Sequence, residues 1–475
     1  MRPFLAITLT IGCLAGCAPA LHGPATPAQP PPAPDPRATS ARSGAAASGP
    51  VAPGAPAIEP ARTLARATIG AVGDVLMHEA VKRSAELHAR DASDGGYAWL
   101  YAQIADLLAE PTVTFANLET PVAPGSPGGT REYVFNAPPE AIAALAHAGV
   151  DVVAVANNHA FDQGRAGFEE TLRRVGLAGL TPVGAGPEGR SAGPVRVEAG
   201  GLAVAFLGYA AFFNQEGNAC PKPAPGPAPC QQASLLDRRR IVEDVRAAAA
   251  GADAVVVSLH WGVEYDAQPR AEDVELAHAL VDAGALVVLG HHPHVLQPVE
   301  LHRTADGRVG VIAYSLGNLV SNQSRNYLPG VTPEKAAATR DGALLRVALV
   351  RRDYGRGVVR VEVDGADFVP LWTENDTVEI DRKREPARRP AIRVVAVDRA
   401  LAEARAELAR LPDPVPAAEQ ARFVALRKRE ALLVARRAAI AALLGEELLR
   451  PLPSAPPLPA TPVVAPTPTP ASAAP

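Results

Sequence analysis

The chain has 475 residues and a formal net charge of -4, long enough for one large domain or two ordinary ones. The near-neutral balance lacks the Lys and Arg excess of a nucleic-acid binder, so no nucleic-acid partner is expected. Its 48 prolines crowd residues 19–60 and 451–475 among Ala, Gly, Ser and Thr, and such segments cannot bury enough apolar surface to offset the entropy of ordering.

The N-terminus carries an export pattern. Arg2 precedes an apolar run over residues 4–11, and Leu14-Ala15-Gly16-Cys17 follows. A basic start, a short apolar stretch and small residues at the end describe a secretory signal over residues 1–17, too short for a stable membrane span. Leu-Ala-Gly-Cys resembles the bacterial lipobox, which implies lipidation of Cys17 as the first mature residue. Ordinary cleavage nearby, with a soluble product, is the alternative. With lipidation, residues 18–64 become a disordered Pro/Ala-rich tether and residues 451–475 a disordered Pro-rich tail. The expected location is extracytoplasmic, in the periplasm or at the cell surface, with a lipid anchor in the membrane.

Residues 65–375 form the expected α/β domain. Short apolar runs at 67–73, 112–115, 151–156, 202–208, 254–259, 286–289 and 309–314 alternate with helix-like stretches at 97–109, 165–175, 237–250 and 271–283. Most of the runs lack polar alternation, as central strands covered on both faces require. Strand alternating with helix predicts a layered β-sheet core flanked by helices. Between the fourth and fifth runs, Cys220 and Cys230 bracket a Pro-rich loop. With no neighbouring His or Cys they make a poor zinc pair, and a local disulfide in an oxidising compartment is the expectation. Residues 343–350 and 358–363 resemble an antiparallel closing ribbon. Residues 376–450 bring a charged patch, a strand-like run at 391–397 and two helices at 399–411 and 417–449, read as a solvated extension without chemistry.

In open α/β sheets ligands bind outside the carboxyl ends of the strands. Asp74 follows the first run, and Asn117-Leu118-Glu119 the second. Asn157-Asn158-His159 with Asp162 follow the third, and His260-Trp261-Gly262 the fifth. Gly290-His291-His292-Pro293-His294 and Ser315-Leu316-Gly317-Asn318 follow the last two. Singly, each has a dull explanation: a Gly-Asp pair is often a turn or cap, and a lone His such as His260 is usually a hydrogen-bonded structural residue. Their convergence on the strand ends has no simple structural explanation and marks one joint site. Carboxylate, amide oxygen and imidazole without thiolate suit a divalent ion such as Mn, Zn or Fe. His292 and His294, separated by a proline, cannot pair as helical neighbours, but a loop backbone lets both reach the site.

These motifs, in this order over residues 67–330, resemble the CapA family, named for accessory proteins of bacterial capsule and poly-γ-glutamate synthesis. The family is similar in fold to the calcineurin-like metallophosphoesterases, so the resemblance implies a metallo-dependent phosphatase-like core. It also implies that Asp74 is the first metal ligand and that Asn158 binds metal beside His159, which acts near the leaving group. His260, His292 and His294 match the later metal-binding histidines. One or two ions would then support hydrolysis of a phosphoester, with His159 as general acid oriented by Asp162.

Several departures from the metallophosphoesterase pattern stand out. The usual Asp-x-His is missing, since Val75 and Leu76 follow Asp74 and His78 comes only at the fourth place. His78 is either a ligand or the start of the next helix. The bridging second aspartate has no direct match, leaving Asn117 or Glu119 for that role. His291 is a weaker ligand candidate than the His-Pro-His pair, and Asn157 and Asn318 complete the candidate set. Two functions compete: a metal-dependent hydrolase acting on an envelope polymer or its precursor, and a non-catalytic accessory protein that binds or helps export an anionic polymer within a biosynthetic complex.

Overall fold

Runs of Val, Ala and Leu with no polar alternation become strands buried on both faces, and they build two sheets. The computed structural model describes residues 61–89, 95–126, 133–187, 193–220, 230–383 and 389–452. The export signal, Cys17, nearly all of the tether and nearly all of the tail lie outside the described residues.

The chain opens with β1 (Arg62–Val75), α1 (Glu79–Leu87) and the short helices α2 (Ala98–Tyr101) and α3 (Ala105–Leu108). Then come β2 (Val113–Leu118), α4 (Pro139–His147), β3 (Val152–Ala154), α5 (Gly164–Leu177) and β4 (Thr181–Val183). The single helix expected over 97–109 is split, because Ile104 leaves the helical region with φ -131°. Next are β5 (Ala185–Pro187), β6 (Val195–Ala199), β7 (Leu202–Ala210), β8 (Gln231–Ala233), α6 (Arg240–Ala249) and β9 (Ala254–His260). They are followed by α7 (Ala271–Ala283), β10 (Val287–His291), β11 (Val299–Arg303), β12 (Val309–Ala313) and β13 (Asn318–Val320). The chain ends with β14 (Asp341–Asp353), β15 (Val359–Asn375), α8 (Thr377–Lys383), β16 (Ile392–Ala396), α9 (Val397–Ala409) and α10 (Gln420–Leu444).

One sheet has the order β16-β15-β14-β1-β2-β3-β4, with β13 also paired to β1; the other runs β11-β12-β10-β9-β7-β6. Their inner faces meet in one apolar cluster that holds Ile69, Ala71 and Phe115 from the first sheet and Phe206, Val256 and Leu289 from the second. Outside the first sheet, a cluster including Val81, Leu145 and Phe168 seats α1, α4 and α5. Outside the second, Ile241, Val245 and Leu280 seat α6 and α7. The layers are therefore helix, sheet, sheet, helix, the layered core with flanking helices that the alternation predicts.

The C-terminal segment departs from expectation. β16 hydrogen-bonds antiparallel to β15 as the edge of the first sheet. Nor is α10 merely solvated: Leu433, Ile440 and Leu444 pack with Trp372 and Phe368 of β15. Inside that contact Arg436 makes a two-pronged ion pair with Asp341, Nε to Oδ1 at 3.1 Å and Nη2 to Oδ2 at 3.0 Å. Composition alone hid this, because Arg and Ala make α10 look polar while its buried stripe is narrow. Among the described residues, no helix is long and apolar enough to cross a membrane.

Candidate metal centre at the strand ends

Parallel pairing brings the strand ends together. β1, β2 and β3 run parallel, with Asp74 in register with Asn117. In the other sheet β7, β9 and β10 also run parallel, and His260 pairs with His291. The chain then crosses between the sheets at Ser315-Leu316-Gly317, so that β13 sets Asn318 opposite Asp74. Gly73 makes this crossing possible. A Cβ there would lie 2.0 Å from the Gly317 carbonyl oxygen, the same oxygen that accepts the Asp74 N–H at 2.9 Å. The Gly-Asp pair is thus a close strand approach rather than a turn or a helix cap.

Asp74 is fully buried and heavily partnered. Its Oδ1 accepts the Asn117 Nδ2–H at 2.9 Å and lies 3.1 Å from His291 Nδ1. Its Oδ2 accepts the His292 backbone N–H at 3.2 Å and lies 3.1 Å from His294 Nδ1. Burial opposes the charge, yet His291 and His294 together hold this carboxyl well below the usual carboxylate range. His292 and His294 reach the site through left-handed backbone, φ 96° and 57°. Non-glycine residues keep such conformations only where the surroundings enforce them.

Two donor groups converge beside Asp74: Asp74, Glu119 and His260; and Glu119, His292 and His294. Glu119 belongs to both. Its Oε1 lies 3.4 Å from His260 Nε2 and 3.8 Å from His294 Nε2. Both Glu119 oxygens and His292 Nδ1 are buried without a hydrogen-bond partner. A buried carboxylate with no donor is strongly unfavourable, and a cation supplies what the protein omits. Burial, reinforced by the neighbouring Asp74 charge, pushes the Glu119 carboxyl well above its usual range. Burial also drives His260 well below the imidazole value and takes His292 down to about 4, with the other histidines adding to both shifts. Neutral imidazoles around carboxylates are a divalent-ion donor set, so the residues fit such an ion.

The remaining candidates take supporting places. Asn158 Oδ1 lies 2.9 Å from His260 Nε2, within reach of the Asp74–Glu119–His260 group. Asn117 Nδ2 donates to Asp74 Oδ1 at 2.9 Å, while Asn157 Nδ2 donates to the Leu118 carbonyl at 2.9 Å. His291 likewise acts on Asp74. Asn318 Oδ1 sits 3.1 Å from His294 Nδ1, and its Nδ2 donates to the Thr339 carbonyl at 2.9 Å. His78 stands at the start of α1, its Nδ1 accepting the Asn322 N–H at 3.2 Å, and is in neither donor group.

His159 Nδ1 lies 2.8 Å from Asp162 Oδ2, which also accepts the Phe135 N–H at 2.7 Å. The Phe135 ring covers His159 at 4.6 Å. Phe212 meets His292 edge-on at 5.2 Å, and Tyr265 lies 6.2 Å from His294. Sequence reasoning passed over these three aromatics. Only Tyr265 had a signal, standing shortly after His260-Trp261-Gly262. Cys220 and Cys230 are joined as a disulfide.

With this geometry in view, residues 68–323 match the family described as bacterial capsule synthesis protein PGA_cap. The chain belongs to that family. The PGA_cap family is part of the metallophosphoesterase-like superfamily, consistent with paired sheets whose strand ends carry carboxylates and histidines. The chain is similar to the capsule biosynthesis protein CapA of Bacillus anthracis, with 31% identity over 309 residues, 64% of this chain and 67% of that one. It is also similar to the PGA biosynthesis protein CapA of Bacillus subtilis (strain 168), with 30% identity over 313 residues, 65% of this chain and 74% of that one. A probable polyglutamine synthesis accessory protein of Mycobacterium tuberculosis (strain CDC 1551 / Oshkosh) shares 30% identity over 224 residues, 44% of this chain and 56% of that one. The PGA_cap match includes every strand-end motif, whereas α9 and α10 lie beyond it.

Proposed function

We propose that this PGA_cap protein is an exported, lipid-anchored hydrolase of phosphoester type that acts in the synthesis of a capsule, poly-γ-glutamate or another envelope polymer. The observation that carries the site is the Glu119 carboxylate, fully buried with neither oxygen hydrogen-bonded, between His260 and the His292/His294 pair. Asp74, Asn158 and His260 hold one side and His292 and His294 the other, with Glu119 between them in the place of the missing bridging aspartate. One or two divalent ions fit this set, and Mn, Zn or Fe agrees with its donors. When bound, such an ion supplies Lewis acidity toward a phosphoryl group and activates water.

The chain's own residues do the rest. Asp74 takes Nδ1 of His294 and so leaves Nε2 as the nitrogen turned to Glu119. Asp162 fixes the His159 ring through Nδ1, leaving Nε2 to deliver a proton to a leaving group. Phe135 covers one side of that ring and excludes water from it. The polymer role is supported by the capsule and PGA biosynthesis roles for which the two CapA relatives are named. Export is supported by the Leu14-Ala15-Gly16-Cys17 pattern and by the Cys220–Cys230 disulfide.

Metal analysis of the purified chain, followed by a phosphomonoester and phosphodiester screen, tests this reading. The expected result is bound divalent metal and turnover that falls about 10²–10⁴-fold in His159→Ala with metal content unchanged. A folded chain that takes up no divalent ion sinks the metal centre. A metal-loaded chain with no turnover, in which His159→Ala still weakens binding of an anionic polymer, moves the assignment to the accessory role.

A further inference from the structure

Away from the strand-end centre, α7 and β11 bring a second set of metal-type side chains together. His278 and Asp282 lie one helical turn apart on α7, while Glu300 and His302 alternate by two on β11, so each pair shares a face. β11 is the edge strand of the second sheet. The four side chains therefore link a helix to a sheet edge.

Glu300 Oε1 is the focus. His278 Nε2 lies 2.8 Å from it and His302 Nδ1 3.6 Å. The two imidazole rings stack at 4.1 Å and 15°, both presented to this oxygen. Each of two donors also has an outer partner. Tyr314, itself buried, donates its hydroxyl to Glu300 Oε2 at 2.6 Å, which leaves Oε1 as the outward oxygen. Asp282 Oδ1 stands 3.4 Å from His302 Nε2, which leaves Nδ1 as the inward nitrogen. Carboxylate or hydroxyl groups behind the donors are how metal-binding imidazoles and carboxylates are oriented.

We propose that His278 Nε2, Glu300 Oε1 and His302 Nδ1 form a second divalent-ion site of the zinc class, clasping α7 to β11. One donor atom from each residue lies within 4.8 Å of the others. A tetrahedral ion with bonds of about 2.1 Å needs its donors roughly 3.4 Å apart. Half-exposed side chains close that difference by small rotations. Two imidazoles and a carboxylate leave a fourth position to water, which suits zinc, cobalt or nickel better than magnesium or calcium.

Zinc titration of the full chain by calorimetry at pH 7 tests the site, with cobalt(II) absorption as a second readout. In His302→Ala and in Glu300→Gln, one zinc equivalent is expected to disappear or weaken at least tenfold, together with one set of cobalt bands. Asp74→Asn, which alters the strand-end centre, is expected to keep that equivalent. If His302→Ala unfolds, the isosteric Glu300→Gln decides. Equal zinc uptake and affinity in wild type and Glu300→Gln overturns the proposal.

Discussion

Asp74 and His294 stand 220 positions apart in the chain, yet Asp74 Oδ2 lies 3.1 Å from His294 Nδ1. The contact joins the first strand of one sheet to the loop after β10 in the other, so it ties both sheets to the site. Replacing Asp74 by Asn keeps the shape but turns an acceptor into a donor facing imidazole N–H groups. Metal affinity is expected to fall by about 10–100-fold while the fold persists. Metal content and circular dichroism of the purified variant check this, and unchanged affinity would remove Asp74 from the centre.

Glu119→Gln separates function from stability. In chelator-treated protein burial and the Asp74 charge push the Glu119 carboxyl well above its usual range, toward its neutral form, so an amide of the same shape should change stability by no more than about 1 kcal/mol. With metal present the variant should be the less stable protein, because it loses a donor common to both groups. Thermal melts with and without chelator report both outcomes. Equal stabilisation of variant and wild type by metal would remove Glu119 from the centre.

His78 sets an acid limb. Burial lowers its imidazole to about 4 from an unfolded value of 6.5, and its Nδ1 must be unprotonated to accept the Asn322 N–H. The unfolded chain therefore takes up a proton below pH 6.5 that the fold refuses until about pH 4. The contribution is fully present above pH 6.5 and is lost as pH falls from there to about 4, up to about 3 kcal/mol in all. His78→Asn keeps an acceptor and cannot titrate, so its denaturant midpoint should vary less over that window. The comparison is best made in chelator, where metal release does not add to the slope.

The clasp between α10 and β14 is expected to be costly to break on one side only. Arg436→Met leaves Asp341 buried with its main partner gone and should destabilise by about 3–5 kcal/mol. The double change Arg436→Met with Asp341→Asn should recover much of that loss. Urea melts of the wild type, Arg436→Met, Asp341→Asn and the double variant give the coupling, and additive losses would argue that the pair contributes nothing as a pair.

Much of this protein is legible in one dimension. The unalternating Val/Ala/Leu runs marked the central strands β1, β2, β3, β7, β9, β10 and β12, because strands covered on both faces have no polar positions to show, whereas the shorter or half-exposed β4, β6, β11 and β13 gave no such run. The candidate residues were legible for a related reason. Parallel strands finish at one edge, so a polar residue after each run lands near the others whatever the loops do. The resemblance to the CapA family rested on those same motifs.

Other features existed only once the sheets had packed. No local pattern told that Asn117 and His291 would hold Asp74, that Glu119 would stand between two donor groups, or that His78 would face Asn322. Those roles depend on which oxygen or nitrogen meets which, and they change over ångströms rather than residues. The burial of α10 was equally hidden, since Arg436 looks like a surface residue until Asp341 is found beneath it. Residue type and order determined the chemistry on offer around Asp74; the crossing at Gly317, admitted by the bare backbone of Gly73, decided how His294 would meet it.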